Sequence, residues 1–487
     1  MPASAHFDVL IIGAGLSGIG AAWHLQHHCP GRSYAILEAR TAMGGTWDLF
    51  RYPGIRSDSD MYTLGYRFRP WRDPKAIADG PAIKRYIEET AREYGIDQKI
   101  RYGHRVVRAE WSSAEARWRV EAEHEGETVH FTCGFLHTCT GYYDYEAGYT
   151  PEYPGRASYT GRFVHPQHWP EDLNYAGKRV VVIGSGATAV TLVPAMSSGA
   201  GAAAHVTMLQ RSPSYIAELP STDAIADALK RVLPERAAYA LTRWKNVLVS
   251  LFYFQLARRA PETFARGLRQ KTRDALGAGH DIDRHFTPRY KPWDERLCIV
   301  PDGDLFTAIR EQRASVVTDE IDHFTATGIQ LKSGAHLEAD VVVSATGLAL
   351  KLVGGMSLAV DGTPVELPRT MAYMGFMYSG VPNLSSAFGY TNASWTLKCD
   401  LVAEHLCRLL NHMKGHGYVQ CTPVREMSVG EEPVLNFTSG YVQRALPNLP
   451  TQGTRAPWRV HQNYLRDLVA YRHGRVDHPS LELRRRS

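Results

Sequence analysis

The hydrophobic positions of this chain fall into short unbroken runs and helical stripes, and their alternation predicts an α/β fold. "FDVLII", residues 7–12, is apolar at nearly every position, as expected of a strand buried on both faces of a parallel sheet. "IGAAWHL" then continues with helical spacing, and "SYAILEAR" reads as the next strand. "RVVVIGSGATAVTLV" and "HVTMLQRS" repeat the strand–helix–strand order further along. "FLHTCTGYYD" (135–144) and "ADVVVSATGLAL" (339–350) are strands followed by Thr-Gly, and they predict the two places where the chain passes between domains. Residues 221 to about 285 carry helical periodicity with few strand signals, which predicts an insertion of helices capping the second α/β unit. Within it, "VLVSLFYFQLA" (247–257) is too short to span a bilayer. A buried helix is expected there, with peripheral contact to a membrane surface as the alternative.

Glycines give these units a chemistry. Gly13, Gly15 and Gly18 follow the first strand in G-x-G-x-x-G spacing. The first serves a tight turn, the second lets backbone approach a pyrophosphate, and the third lets the helix pack close to the strand. Glu38 ends the next strand 20 residues past Gly18, the place for a carboxylate that binds a ribose hydroxyl. Gly184, Gly186 and Ala189, with Thr188 between them, repeat the pattern. Here Arg211, 22 residues past Ala189, stands where an acid would select NAD, so this site reads as one for NADP. The fold class is therefore α/β with two Rossmann-like dinucleotide-binding domains, the second inserted in the first. The expected boundaries are 1–145 and 348–487 for the first domain, 146–220 and 289–347 for the second, and 221–288 for the helical insertion.

Composition narrows the function. With 44% hydrophobic and 22% charged residues the chain can bury a large core. A net charge of +5, from 55 basic and 50 acidic residues, does not suggest nucleic acid as a partner. The seven cysteines contain no CxxC pair, which implies reduced thiols, a cytoplasmic location and no redox disulfide of the kind a disulfide reductase uses. No metal site is expected. The N-terminus enters a core strand almost at once, so a targeting segment is not expected.

One motif is more specific. "YTGRFVHPQHWP" (159–170) precedes the second glycine turn and carries Gly161, His165 and Trp169 four apart, closed by Pro170. With the paired glycine turns and "AMGGTWD", it resembles the fingerprint of the class B flavoprotein monooxygenases, type I Baeyer–Villiger enzymes, except for Tyr159 at the first aromatic position. "GGTWDLFRYPGIRSDSDMYTLGYRFRPW", "FTPRYKPWDERLCIVPDGDLF" and "PWRVHQNYLRDL" are similar to the subgroup typified by the mycobacterial ethionamide-activating monooxygenase.

The resemblance implies FAD in the first site, with Gly45 and Trp47 among its contacts, and NADPH in the second. It implies insertion of one oxygen atom of O2 beside a ketone carbonyl through a flavin C4a-peroxide, with sulfides and thioamides also oxidised. Arg296 is implied as the cation that holds negative charge at the reacting oxygen, and Asp58 as its carboxylate partner. Gly161, His165 and Trp169 are implied to form a hinge or latch between domains. Relatives carry a lysine where this chain has Glu295, which leaves Arg211 and Lys291 to select NADPH. The rival readings are a flavin N- or S-oxygenase without ketone activity, and an NAD(P)H-dependent flavin or disulfide reductase. A monomer or homodimer is expected.

Overall fold

The computed structural model describes residues 5–295 and 297–486. β1 (Ala5–Ile12), α1 (Leu16–His28) and β2 (Tyr34–Leu37) open the first unit, followed by β3 (Ile100–Arg101), β4 (Arg105–Ser112), β5 (Arg117–His124) and β6 (Glu127–Thr138). β7 (Tyr143–Gly148) leads out of it. The second unit contributes β8 (Arg162–Val164), β9 (Arg179–Ile183), α2 (Ala187–Met196) and β10 (His205–Gln210). Helices α3 (Ala224–Val232), α4 (Glu235–Arg259) and α5 (Pro261–Leu276) intervene before α6 (Asp304–Arg310), β11 (Ala314–Thr318) and β12 (Val341–Ser344). β13 (Leu348–Leu350) leads back to β14 (Ser357–Val360), β15 (Thr363–Pro364), β16 (Leu384–Ser386), α7 (Trp395–His416) and α8 (Tyr464–His473).

The first unit holds a nine-stranded sheet in the order β15-β14-β4-β5-β6-β1-β2-β3, with β16 beside β6. β1 runs parallel to both β2 and β6, pairing Val9 with Tyr34 and with Phe135, and its residues 9–12 are buried. The second unit is a five-stranded sheet, β11-β10-β9-β12-β8, in which every pair is parallel. The apolar runs seen in the sequence are the central strands of both sheets, because only a strand covered on both faces needs apolar side chains at every position. β7 and β13 pair with each other, Leu348 against Gly148 and Leu350 against Tyr143, so the two crossings form one antiparallel ribbon.

The helical insertion departs from the reading of a cap on the second unit. α5 packs on that unit through α6, but α4 lays its buried face on the first. The buried guanidinium of Arg243 donates to the carbonyls of Tyr62 and Gly65, both at 2.8 Å, and of Thr63 at 3.2 Å. Tyr239 donates to the Tyr66 carbonyl at 2.9 Å. Buried donors must find acceptors, and these acceptors belong to the short helix Met61–Leu64 and the residues just after it, between β2 and β3. The 247–257 segment is also not the buried helix expected, since Leu248, Val249, Phe252 and Tyr253 are exposed.

Two fully enclosed histidines give the fold an acid limit. His137 Nδ1 lies 2.8 Å from Ser385 Oγ between β6 and β16, and His405 Nδ1 lies 2.9 Å from the Tyr471 carbonyl. Burial pulls both pKa values down to about 4. The unfolded chain binds both protons below about pH 6.5 while the folded chain does not, so stability is lost as pH falls from ~6.5 toward ~4. The expected slope is about 1.4 kcal/mol per pH unit for each histidine. Urea midpoints measured at neutral and mildly acidic pH check this, and His137→Gln together with His405→Gln should flatten the dependence.

Candidate active site

A cleft of about 470 Å³ opens at the carboxyl end of β1 and is lined by the first glycine turn, Glu38, Gly45, Trp47, Asp58 and Trp395, among others. Its backbone is tight. Gly13 has φ +104°, and a Cβ there would lie 2.6 Å from the Cys139 carbonyl oxygen. A Cβ on Gly18 would lie 1.9 Å from the Gly13 carbonyl oxygen, so α1 reaches this depth only without a side chain. Gly45, φ +57°, faces Gly15 so closely that its Cβ would meet Gly15 Cα at 3.1 Å. α1 starts at Gly15 with no side-chain cap, which leaves its first N–H groups for an anion.

Glu38 is fixed by the turn it serves. Its carboxylate accepts from the Ala14 N–H at 2.7 Å and the Arg40 N–H at 2.9 Å. Burial pushes its pKa up, and those two bonds oppose the shift. Beneath the turn, buried Asp48 pairs with Arg40 at 2.5 Å and with Lys84 at 2.7 Å. A carboxylate lining the cleft just past β2, an uncapped helix start and a backbone cradle that side chains would fill together fit the adenosine diphosphate end of FAD.

The second turn repeats the geometry with an open face. Gly184 has φ +134°, and its Cβ would lie 2.4 Å from the Ala345 carbonyl oxygen, whereas a Cβ on Gly186 would meet nothing within 4 Å. α2 also begins without a side-chain cap, and Ala189 is fully buried against the sheet. Burial pushes the Tyr52 phenol up to about 12, and the Thr188 hydroxyl opposes that rise. Tyr52, which follows the first unit's β2 in the chain, packs in the core of the second unit. Arg211 is exposed just past β10. Burial raises the Glu295 carboxyl, and the positive charge of Arg211 opposes that rise.

Of the fingerprint residues, His165 sits at the crossing ribbon, and Tyr159, Gly161 and Trp169 pack on the second unit. The Tyr159 ring folds over Gly161, where a Cβ would lie 2.3 Å from the phenol oxygen, and its hydroxyl donates to the Ala339 carbonyl at 2.9 Å. His165 Nε2 lies 3.2 Å from the Gly347 carbonyl, and Nδ1 accepts the Gln167 N–H at 3.2 Å. A Cβ on Gly148 would fall 2.0 Å from the imidazole, so the ring occupies the space that glycine vacates. Burial lowers the His165 pKa. The neutral ring thus bridges the end of β7 and the residue before β13. Trp169 follows a single 3-10 turn and meets Tyr175 edge-on at 6.5 Å, both half-buried against the core of the second unit.

Asp58 is exposed at the cleft. Arg296 lies outside the described residues. Trp395 stacks on Tyr142 at 5.0 Å and donates through Nε1 to Ser17 Oγ at 2.8 Å. Sequence reasoning passed over Arg40, Asp48, Tyr142 and Tyr145; the "GYYDYE" run after the Thr-Gly turn was the available signal for the tyrosines. All seven cysteines are buried free thiols.

A family profile described as flavin-binding monooxygenase-like matches residues 74–247, and an NAD(P)-binding Rossmann-like domain matches 11–87. The chain is 54% identical over 477 residues to the FAD-containing monooxygenase EthA of Mycolicibacterium smegmatis, covering 98% of this chain and 96% of that protein. The chain belongs to the FAD-containing monooxygenases. The fold of this monooxygenase is also that of an oxidized steroid monooxygenase bound to NADP (TM-score 0.77, 20% identity). OTEMO in complex with FAD and NADP matches it as well (TM-score 0.74, 21% identity). Each of these two covers 99% of this chain and 100% of its own.

Proposed function

We propose that this monooxygenase uses NADPH and bound FAD to insert one atom of O2 beside a ketone carbonyl, giving an ester or lactone, and that it oxidises sulfides as a side activity. The observation that carries the reading is the pair of nucleotide turns with opposite ribose chemistry, Glu38 in one and Arg211 in the other, joined at a ribbon bridged by His165. FAD held in the first site supplies hydride acceptance and activation of dioxygen.

The chain's own residues do the rest. Gly13, Gly15, Gly18 and Gly45 bring backbone against the pyrophosphate, Glu38 receives a ribose hydroxyl, and Trp47 and Trp395 wall the cleft. Gly184, Gly186, Thr188 and Ala189 form the turn for the second pyrophosphate, and Arg211 pairs with the 2′-phosphate of NADPH. By the family resemblance, Arg296 is the cation that would hold negative charge on the reacting oxygen, with Asp58, which lines the cleft, as its carboxylate partner. His165 anchors the ribbon about which the two nucleotide units meet, and Gly161 and Trp169 hold the segment that carries it to the second unit.

Incubating the FAD-loaded chain with NADPH, isotopically labelled O2, an aryl ketone and a thioether tests this. Labelled ester is expected from the ketone and labelled sulfoxide from the thioether. Sulfoxide without ester would move the chain to the N- and S-oxygenases, and hydrogen peroxide alone would end the proposal.

Arg211→Gln is expected to lower the preference for NADPH over NADH by roughly 30-fold, about 2 kcal/mol, the worth of a charge-assisted bond. Steady-state kcat/KM with each nucleotide measures it, and NADH turnover should stay unchanged.

A further inference from the structure

We infer that the outer face of α4, with its flanking basic residues, docks this enzyme on an anionic phospholipid surface. α4 is about 37 Å long at 1.5 Å per residue. Its inner face is committed, through Arg243, Tyr239 and Val247, to the first nucleotide unit. Its outer face presents Leu241, Trp244, Leu248, Val249, Phe252 and Tyr253 to solvent, with Phe252 63% and Leu248 51% exposed. Leu241, Leu248, Phe252 and Arg259 recur at seven, four and seven residues and so share one side of the helix. On α3, Ile225 and Val232 add exposed apolar side chains. Contiguous apolar surface of this kind marks an interaction site, because a soluble face gains nothing by showing it to water.

Charge selects the occupant. Residues 224–276 hold eleven Lys and Arg against four Asp and Glu, a net +7 in a chain whose total is +5; setting aside buried Arg243, and Lys245 and Arg258 paired with Asp223 and Asp294 outside the segment, leaves +4. Arg231, Arg236, Arg259, Arg266 and Lys271 in this segment are exposed. An apolar stripe bordered by cations is the pattern of a helix lying in the headgroup region of a negatively charged leaflet. A second copy seated face to face would bring two such positive surfaces together, and like charges oppose that pairing. None of the described helices is long and apolar enough to cross a membrane, so contact at this face is peripheral.

The docked helix is also a wall of the interior. Val247, Leu251 and Phe254 on its inner side line a small cavity together with Ala393 and Ser394, which also border the nucleotide cleft. A membrane-bound α4 therefore stands between lipid and the cleft. That link rests on the flavin reading; membrane binding itself does not.

Flotation of the full FAD-loaded chain with phosphatidylcholine vesicles, with and without phosphatidylglycerol, tests the docking. Binding is expected with phosphatidylglycerol, weakened roughly tenfold in high salt by screening of the cationic segment. Leu248→Asp with Phe252→Asp should lower the partition roughly tenfold or more while turnover of a water-soluble ketone stays at the parent rate. Arg259→Gln with Arg266→Gln and Lys271→Gln, which leaves the packing untouched, should lower binding to the phosphatidylglycerol vesicles alone. The inference is overturned if phosphatidylglycerol makes no difference. It is equally overturned if lipid-free chain forms a concentration-dependent dimer that the aspartate pair dissolves, which would give the face to a second copy. No ketone or NADPH is needed for the vesicle measurement, so its failure leaves the catalytic reading standing, and loss of ester formation leaves the docking result standing.

Discussion

Gly18→Ala is expected to yield a chain that purifies without FAD and no longer oxidises NADPH in the presence of a ketone. The added methyl would lie 1.9 Å from the Gly13 carbonyl oxygen, and neither atom belongs to a side chain that can swing away. α1 would have to lift from the turn, taking the uncapped N–H groups at Gly15 out of reach of the pyrophosphate. Overpacking of this kind costs about 3 kcal/mol, which is over a hundredfold in FAD affinity. Gly186→Ala is the informative control. Nothing in the protein lies within 4 Å of that methyl, so it can collide only with an arriving nucleotide. FAD should be retained at the parent level while the KM for NADPH rises about tenfold. Flavin absorbance after gel filtration and NADPH titration separate the two outcomes, and a yellow, fully active Gly18→Ala chain would refute the assignment of the first turn.

Asp467→Leu is expected to destabilise the fold by about 3–5 kcal/mol. Asp467 and Lys398 meet at 2.6 Å with side chains only 4% and 3% exposed. Tyr390 donates to the same carboxylate at 2.6 Å, and the Lys398 ammonium also rests over the Tyr471 ring at 4.5 Å. Burial pulls the Lys398 pKa down while Asp467 holds it up, so removing the acid leaves an amine that must lose its proton or remain buried and unpaired. Asp467→Leu combined with Lys398→Met should recover most of the loss, because two apolar groups of similar size need no partner. Tyr390 lines the nucleotide cleft, so the single variant should also hold FAD more weakly. Urea midpoints of the two singles and the double form the cycle. A double variant whose loss equals the sum of the two single losses would show that the pair is not coupled.

What could be read from the sequence was whatever depends on local backbone chemistry. The strand–glycine–helix units were legible because a buried parallel strand and a phosphate turn each restrict residue type at every position. The parallel strands beside β1, the all-parallel second sheet and the paired Rossmann-like units follow from that restriction. Asp48, Arg40 and Lys84 were not legible, since a buried carboxylate between two cations has no spacing of its own and is assembled from separate elements. The 247–257 stretch misled for a related reason. Apolar residues on every side of a helix predict burial, but only the side near Arg243 found a partner within the chain. Likewise, a motif could point to His165, but that its ring fills the space beside Gly148 depends on two crossings nearly 200 residues apart meeting in one ribbon.

The contact between α1 and α7 has a consequence for biosynthesis. Ser17 and Cys399 bond at 3.3 Å across 382 positions of chain, and His24 and Asp400 close across 376. The second unit has all its strands once Ser344 has emerged, whereas the helix that leads away from the first glycine turn waits for residues near 400 before its outer side is covered. On the ribosome the inner domain can therefore finish while the outer one is still open, and FAD capture becomes one of the last events of synthesis. A nascent chain halted before α7 should bind NADPH analogues and leave flavin in solution.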